Sequence, residues 1–256
     1  MRFGVCCKLE SAPMIVSAGF DVTEVAASTI GMMEEWDPVP YQAYPTRSAN
    51  IFFPGSVKLF GGGEEHYMDY ARRMMPRAQE AGIETLVLGS AGSRRRPDDM
   101  DPEEAEERFA DIVGELTVLS RSLGLQVAPE PLNRQECNLA SDMAAMARRL
   151  NKRGLDFTVD SFHVLAEWKF EQGTHAYPDE GPSIEFWREQ VPTCPAHIHL
   201  ADIHRSRPAH DDPMMQTFAR RLKEVGFDGK ILLECRWDDM ESELPKALVE
   251  MQKLFS

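Results

Sequence analysis

The sequence predicts an α/β protein, a (β/α)8 TIM barrel that occupies residues 1–256 as one domain. Three observations carry this prediction. Short apolar segments alternate with longer amphipathic segments along the whole chain. The length of 256 residues is what such a barrel needs. No linker rich in Pro, Gly and Ser and no break in composition divides the sequence.

The short apolar segments indicate parallel strands, because a strand buried on both faces is apolar almost without interruption. Such segments occur at residues 2–7, 20–26, 48–53, 84–90, 125–130, 155–160, 196–201 and 230–235. A doubly wound open sheet is the alternative arrangement of these elements. It lacks its usual support, because no G-x-G-x-x-G motif follows the first strand.

Helical patterns occupy most of the intervening segments. The clearest covers residues 102–123, where Asp101 is a candidate N-cap, Pro102 suits the first turn and Gly124 follows the end. Segment 64–81 is also helical in pattern, although Pro76 predicts a kink. Residues 27–47 contain three prolines and predict a loop with one helical turn. The other predicted helices are residues 139–152, 181–190, 214–225 and 240–255.

The overall charge limits the classes of partner. The formal net charge is −14, which disfavours nucleic acid and anionic membranes because both are polyanions. The sequence begins without the apolar run of a signal peptide, and no segment approaches the ~18 apolar residues of a membrane span. The five cysteines have no CxxC spacing and indicate reduced thiols. These features predict a cytoplasmic protein.

Metal-type ligands stand at the ends of four consecutive predicted strands. Glu130 ends the fifth strand, Asp160 the sixth, and Glu234 lies near the end of the eighth, while His199 belongs to the seventh. In a (β/α)8 barrel these positions meet at the rim that carries catalytic groups. Three carboxylates there would repel one another unless they bound a cation. Three oxygen donors and one imidazole suit one divalent ion, with Mn²⁺ expected first and Mg²⁺, Co²⁺ or Zn²⁺ as alternatives.

Each of these residues also has an ordinary structural explanation. An acid after a strand is commonly a helix cap, a lone histidine commonly belongs to the core, and Glu130 could pair with Arg134. Recurrence on four strands in a row favours the metal site. His197 faces the same side as His199 but lies deeper, which predicts a core histidine that orients a ligand. Glu24 is either a partner of a metal ligand or part of a buried ion pair.

Several stretches resemble the sugar phosphate isomerase/epimerase superfamily, whose members have a xylose isomerase-like TIM barrel. They are EPLNRQE (130–136), VDSFH (159–163), HIHLADIHR (197–205) and LLEC (232–235), and GFDVTE (19–24) is similar to the usual entry to the second strand. Their order and spacing hold from the fifth strand to the end of the chain. This later part is most similar to the ketose 3-epimerases of the D-tagatose/D-psicose type.

The resemblance implies a divalent-metal-dependent isomerase or epimerase that acts on a keto sugar or a related polyol or sugar acid. It assigns the metal to the four strand-end residues. It makes Glu130 and Glu234 the acid/base pair, on opposite faces of a substrate that passes through an enediolate. It also implies that His163, Arg205 and Glu136 bind substrate oxygens. Since members are often dimers or tetramers, a homo-oligomer is consistent with the resemblance.

The fourth rim loop departs from what a neutral sugar requires. It reads GSAGSRRRPDDM (89–100) and contains three consecutive arginines. One interpretation is a solvated charge run that the following acidic residues balance. The other is that Ser90 and Arg94 bind a carboxylate or phosphate of the substrate. The second interpretation would favour a sugar acid or sugar phosphate.

Other functions on the same barrel are alternatives. A metal-dependent lyase, decarboxylase or deglycosidase would use the same residues on a keto-sugar acid or a keto-glycoside. An AP endonuclease-like phosphodiesterase would need more histidines and a basic groove, and the seven histidines and the net charge of −14 disfavour it. A non-catalytic sugar-binding protein would be expected to lack one of the four ligand positions, all of which are filled.

Overall fold

The computed structural model describes residues 1–140, 142–173 and 181–256 of the chain. Within these ranges eight parallel strands form one sheet, so the predicted (β/α)8 barrel is confirmed. The strands are β1 (Arg2–Cys6), β2 (Val22–Ala26), β3 (Thr46–Asn50), β4 (Thr85–Leu88), β5 (Gln126–Pro129), β6 (Thr158–Asp160), β7 (His197–Leu200) and β8 (Lys230–Leu233).

The strand order shows how the barrel closes. It is β5-β4-β3-β2-β1-β8-β7-β6, so β5 and β6 are the two ends of the hydrogen-bonded row. Between these end strands, the Thr158 hydroxyl of β6 donates to the Ala128 carbonyl of β5 at 3.1 Å. The barrel is therefore nearly closed, and the carboxyl ends of all its strands meet at one rim.

Helices cover the outside of the barrel and contribute short turns to its rim. They are α1 (Ala12–Ser17), α2 (Ala27–Met32), α3 (Val39–Gln42), α4 (Tyr67–Glu80), α5 (Ala91–Arg94), α6 (Pro102–Ser122), α7 (Met143–Lys152), α8 (Ser161–Glu171), α9 (Ile184–Gln190), α10 (Pro213–Glu224) and α11 (Met240–Phe255). A short 3₁₀ turn (Leu9–Ser11) precedes α1. In the described ranges, no helix is both long and apolar enough to cross a membrane.

Helix α6 shows how local sequence sets an element. The Asp101 carboxylate caps it by accepting hydrogen bonds from the backbone N–H groups of Glu103 at 2.9 Å and Glu104 at 3.2 Å. After the last turn, Gly124 has φ of +69°, a conformation that favours glycine. The apolar face between these signals is buried, as its 3.6-residue period predicts.

The structure differs from the sequence prediction in several places. Helices α1, α5 and α8 lie in stretches for which no helix was predicted. Residues 27–47 contain two short helices, α2 and α3, instead of one helical turn. Strand β3 begins two residues earlier than predicted, because its first residues, Thr46 and Arg47, are polar and escape a search for apolar runs. The helix predicted at 139–152 begins at Met143, and Ser141 lies outside the described residues.

The barrel interior contains a polar layer below the rim. Glu24 and His197 have no solvent-exposed surface, and the hydroxyls of Thr23 and Thr46 lie 3.0 Å apart on neighbouring strands. The five cysteines are free thiols, as the sequence predicts. A buried polar layer of this kind requires internal partners for every charged group.

Candidate functional site

Four potential metal ligands converge at the rim of the barrel. Glu130 directly follows β5, Asp160 ends β6, His199 lies within β7, and Glu234 directly follows β8. One donor atom from each of these side chains lies within 4.8 Å of the donor atoms of the other three. The parallel strands end at a common height, and therefore residues far apart in the chain meet in space.

The cluster is buried and centres on the His199 ring. His199 Nδ1 lies 2.9 Å from Glu130 Oε1 and 3.6 Å from Glu234 Oε2. The side chain of Glu234 is 22% exposed, whereas Asp160 and His199 are almost completely buried. Asp160 Oδ1 accepts a hydrogen bond from the Phe162 N–H at 2.8 Å, but Asp160 Oδ2 is buried without a hydrogen-bond partner among the described residues. An unsatisfied buried carboxylate oxygen beside two other carboxylates suits a cation.

Burial and the charges within the cluster give the three carboxylates different pKa values. Burial and the negative charges of Glu234 and Glu130 raise the pKa of Asp160 well above its ordinary value. Burial also raises the pKa of Glu234, with Glu130 adding to the effect. Burial disfavours the charged form of Glu130 too, but the charge and hydrogen bond of His199 outweigh it and lower the pKa of Glu130 to about 2. A divalent cation would relieve this repulsion.

The chain around Glu130 holds its carboxylate in place. Arg94 Nη1 donates to the backbone carbonyl of Glu130 at 2.8 Å. A β-carbon built on Gly89, which follows β4, would lie 2.1 Å from Glu130 Oε2. The carboxylate therefore occupies the space that any side chain at position 89 would need.

A second layer of polar side chains supports His199 from inside the barrel. Glu24 Oε1 lies 2.6 Å from His199 Nε2, and Glu24 Oε2 lies 2.8 Å from His197 Nε2. Cys6 Sγ donates to Glu24 Oε1 at 3.3 Å. Burial by itself would raise the pKa of Glu24, but the two imidazoles hold it well below its ordinary value.

Three of the predicted substrate-binding residues lie beside the cluster, and two of them, Arg205 and Glu136, are partly exposed. Arg205 Nη2 lies 3.0 Å from Glu234 Oε2, and Arg205 Nη1 lies 3.5 Å from Glu136 Oε1. The Arg205 guanidinium also stacks over the Phe162 ring at 4.7 Å. Arg205 has φ of +61°, which strains a residue with a β-carbon and fixes its side chain beside the cluster.

His163 is the third of these residues, and it is buried next to Asp160. Its Nε2 lies 3.5 Å from Asp160 Oδ2 and 3.9 Å from Glu136 Oε2. Asn133 Nδ2 lies 2.8 Å from His163 Nδ1 and can only donate there, which leaves the Nε2 hydrogen facing the carboxylates. Burial lowers the pKa of His163 to about 4. His163 is therefore a neutral hydrogen-bond donor at neutral pH.

The structure gives Ser90 and Arg94 supporting positions. Ser90 Oγ accepts a hydrogen bond from the Phe53 N–H at 2.9 Å. Arg94 is buried, with its guanidinium 5.4 Å from the Phe109 ring centre, so a solvated charge run is the wrong interpretation for this arginine. Arg95 is exposed. Arg94 Nε and Nη2 are buried without a hydrogen-bond partner among the described residues. Binding of a substrate carboxylate or phosphate by Ser90 and Arg94 stays a prediction.

Some site residues carry little signal in the sequence. Gly89 is an ordinary glycine after a strand, and its role follows only from the space that Glu130 fills. Asn133 has a weak signal, since an asparagine in a loop often begins a turn and its Oδ1 accepts from the Glu136 N–H at 3.2 Å. Asn50 Nδ2 donates to Glu234 Oε1 at 3.4 Å across the barrel, and no short-range pattern could indicate this contact.

Several solved structures share this fold over almost their whole length. A 3-keto-D-glucoside 4-epimerase from E. coli is 18% identical, with 98% of this chain and 99% of that chain covered and a TM-score of 0.74. A D-psicose 3-epimerase from Clostridium cellulolyticum, solved with D-tagatose, is 14% identical over 100% of both chains with a TM-score of 0.77. An L-ribulose 3-epimerase is 14% identical over 99% of this chain and 94% of that chain, with a TM-score of 0.72.

Sequence comparison reaches the family level. No curated protein sequence is a match to this chain. The family model for the xylose isomerase-like TIM barrel matches residues 60–255, which is most of the sequence and includes the four convergent residues. The chain therefore belongs to the xylose isomerase-like TIM barrel family.

Proposed function

We propose that this protein is a divalent-metal-dependent epimerase or isomerase of keto sugars. The observation that carries the proposal is the meeting of one imidazole and three carboxylates, with a donor atom of each within 4.8 Å of the others. The structural neighbours support the substrate class, because they include epimerases of D-psicose, L-ribulose and a 3-keto-D-glucoside.

The proposed metal ligands are Glu130, Asp160, His199 and Glu234. Their chemistry fits a hard or borderline divalent cation, and Mn²⁺ is proposed first because three of the four donors are carboxylates. Asp160 Oδ2 accepts no hydrogen bond from the residues that the structure describes, and such a cation would explain its burial. When bound, the cation would supply Lewis acidity that stabilises negative charge on the substrate.

Glu130 and Glu234 are proposed as the acid/base pair. One carboxylate removes a proton from the carbon beside the substrate carbonyl, and the other group returns a proton to the opposite face, which inverts that carbon. Without a metal ion the pKa of Glu234 is raised and that of Glu130 is about 2. Glu234 is also the more exposed of the two carboxylates. Positioned acid/base groups of this kind contribute roughly 10²–10⁴-fold to a rate.

The substrate oxygens are proposed to contact Arg205, His163 and Glu136. Arg205 brings a permanent positive charge next to Glu234. There it would stabilise the negative charge that the substrate oxygens gain during proton removal. His163 offers a neutral N–H group, and Glu136, 3.5 Å from Arg205, offers a hydrogen-bond acceptor for a sugar hydroxyl.

The metal site is tested by measuring the metal content of the purified protein by mass spectrometry. We expect one divalent ion per chain in the wild type after incubation with Mn²⁺, and its loss in His199→Asn. His210→Asn is the matched control, because His210 pairs with Glu250 away from the cluster. An equal metal content in wild type and His199→Asn would contradict the proposed site.

The reaction is tested with D-fructose, D-psicose and D-tagatose in deuterium oxide with Mn²⁺ present. Epimerisation predicts deuterium at the third carbon of the recovered sugar, and isomerisation predicts it at the first or second. Proton exchange at either position supports the proposal. Release of carbon dioxide from keto-sugar acids without exchange into any ketose would replace it with a decarboxylase.

A further inference from the structure

Glu24 is a fully buried carboxylate that the proposed reaction does not use. It lies on β2, on the inner side of the cluster, and it has no solvent-exposed surface. A carboxylate is stable in such a place only when its oxygens have positively polarised partners. Its partners come from β1 and β7, and they include the one imidazole of the proposed metal site.

The contact between Glu24 and His199 determines what the histidine can offer. Glu24 Oε1 lies 2.6 Å from His199 Nε2, whereas His199 Nδ1 faces Glu130 Oε1 at 2.9 Å. An ionised carboxylate only accepts hydrogen bonds, so Nε2 must carry the hydrogen. Glu130 is a carboxylate as well, so Nδ1 also carries a hydrogen when no cation is bound. A divalent cation would replace the hydrogen on Nδ1, whereas Glu24 would keep the hydrogen on Nε2.

Glu24 is itself fixed by two further side chains. Cys6 Sγ donates to Glu24 Oε1 at 3.3 Å, and His197 Nε2 lies 2.8 Å from Glu24 Oε2. The rings of His197 and His199 meet edge to face with their centres 5.1 Å apart. Cys6 lies on β1 and His197 on β7, so Glu24 is contacted from two strands other than its own.

We propose that Glu24 is a positioning residue that fixes the Nε2-protonated form of His199 and thereby presents Nδ1 to the divalent cation. The role rests on the metal site proposed above. A carboxylate behind a metal-bound imidazole also makes the imidazole a stronger ligand, and loss of such a partner typically weakens metal binding by about 10–100-fold.

The test is the affinity for Mn²⁺ alone, measured by titration calorimetry on wild type and Glu24→Gln. Glutamine keeps the size of the side chain but removes its charge, and we expect binding about 10–100-fold weaker. Glu250→Gln is the matched control, because it removes a carboxylate 2.7 Å from the His210 ring outside the site. Its Mn²⁺ affinity should equal that of the wild type.

The outcomes separate this role from the metal site itself. No Mn²⁺ binding by the wild type would overturn both proposals. Equal affinity in wild type and Glu24→Gln would overturn only the role of Glu24. The unfolding temperature of each metal-free protein shows whether a variant is folded, so that a merely structural effect is recognised.

Two measurements on the wild type alone keep the proposal testable if Glu24→Gln does not fold. In protein loaded with Zn²⁺ and labelled with nitrogen-15 histidine, NMR should show His199 protonated at Nε2, and protonation at Nδ1 would overturn the role. Cys6, Glu24 and His199 could also hold a cation between them. A thiolate-to-cobalt absorption band in Co²⁺-loaded protein would therefore make Glu24 a ligand and contradict the positioning role.

Discussion

At the rim of the barrel, the Glu130 carboxylate occupies the space that a side chain on Gly89 would fill. The carboxylate oxygen Oε2 of Glu130 lies 2.1 Å from the point where a β-carbon on residue 89 would stand. Gly89 follows β4 and Glu130 follows β5, and these two strands are paired. The absence of a side chain on one strand therefore gives the neighbouring carboxylate its position in the cluster.

Substitution of Gly89 by alanine should displace this carboxylate. We expect Gly89→Ala to weaken Mn²⁺ binding by at least about tenfold, because the new methyl group moves one proposed ligand. Gly92→Ala is the matched control, since a β-carbon there meets nothing within 4 Å. Calorimetric titration of both variants with Mn²⁺ measures the difference, and equal affinities would show that Glu130 is not a ligand.

Glu234→Gln should abolish turnover without unfolding the protein. The amide cannot exchange a proton with the substrate, and we expect a loss of about 10²–10⁴-fold in kcat. Its side chain is partly exposed, so the circular dichroism spectrum should match that of the wild type. Glu243→Gln, a surface control on α11, should keep full activity. Wild-type turnover by Glu234→Gln would disprove the acid/base role.

Arg205→Lys separates substrate binding from metal binding. Lysine keeps the charge but loses the planar guanidinium that reaches Glu234 and Glu136 together. We expect kcat/KM to fall by about 10–100-fold, as the loss of a hydrogen bond to a charged group predicts, with Mn²⁺ affinity unchanged. Arg207→Lys is the control, since Arg207 pairs with Glu243 at 3.6 Å. A parallel loss of metal affinity would argue against a substrate-binding role.

His163 should make the stability of the metal-free protein depend on pH. Its pKa is about 4 in the folded state and 6.5 when unperturbed. Between these values the unfolded chain binds a proton that the folded protein excludes, so stability falls as the pH falls from 6.5 to 4. The full effect is about 3 kcal/mol. Urea unfolding with a chelator present should show this dependence in wild type and less of it in His163→Gln, and identical dependence in both would contradict it.

The fold could be predicted because individual helices and strands show their apolar periodicity within one short segment of sequence. Helix α6 has a cap, a first-turn proline and a terminal glycine, and its bounds agree with the prediction within one residue. Strand β3 was placed too late, because its first residues, Thr46 and Arg47, are polar and the apolar Phe52 lies beyond the strand. A search for apolar runs succeeds only where the interior of the barrel is apolar.

The site could be predicted in part for a related reason. A strand end is readable from sequence, and parallel strands bring such ends together, which is how Glu130 and Asp160 were found 30 residues apart. Contacts that depend on the direction of a side chain could not be predicted. Arg94 belongs to a run of arginines that suggests solvent, yet its guanidinium is buried and donates to the Glu130 carbonyl.

The proposed metal site lies at the junction between β5 and β6, where the barrel closes. These strands are the two edges of the sheet, and the Thr158 hydroxyl spans them. Glu130 and Asp160 stand at the same junction, one on each edge. A cation bound by both residues would connect β5 to β6 across this junction. Metal binding would therefore make the barrel more rigid at the β5–β6 junction, where the hydrogen-bonded row of described strands ends.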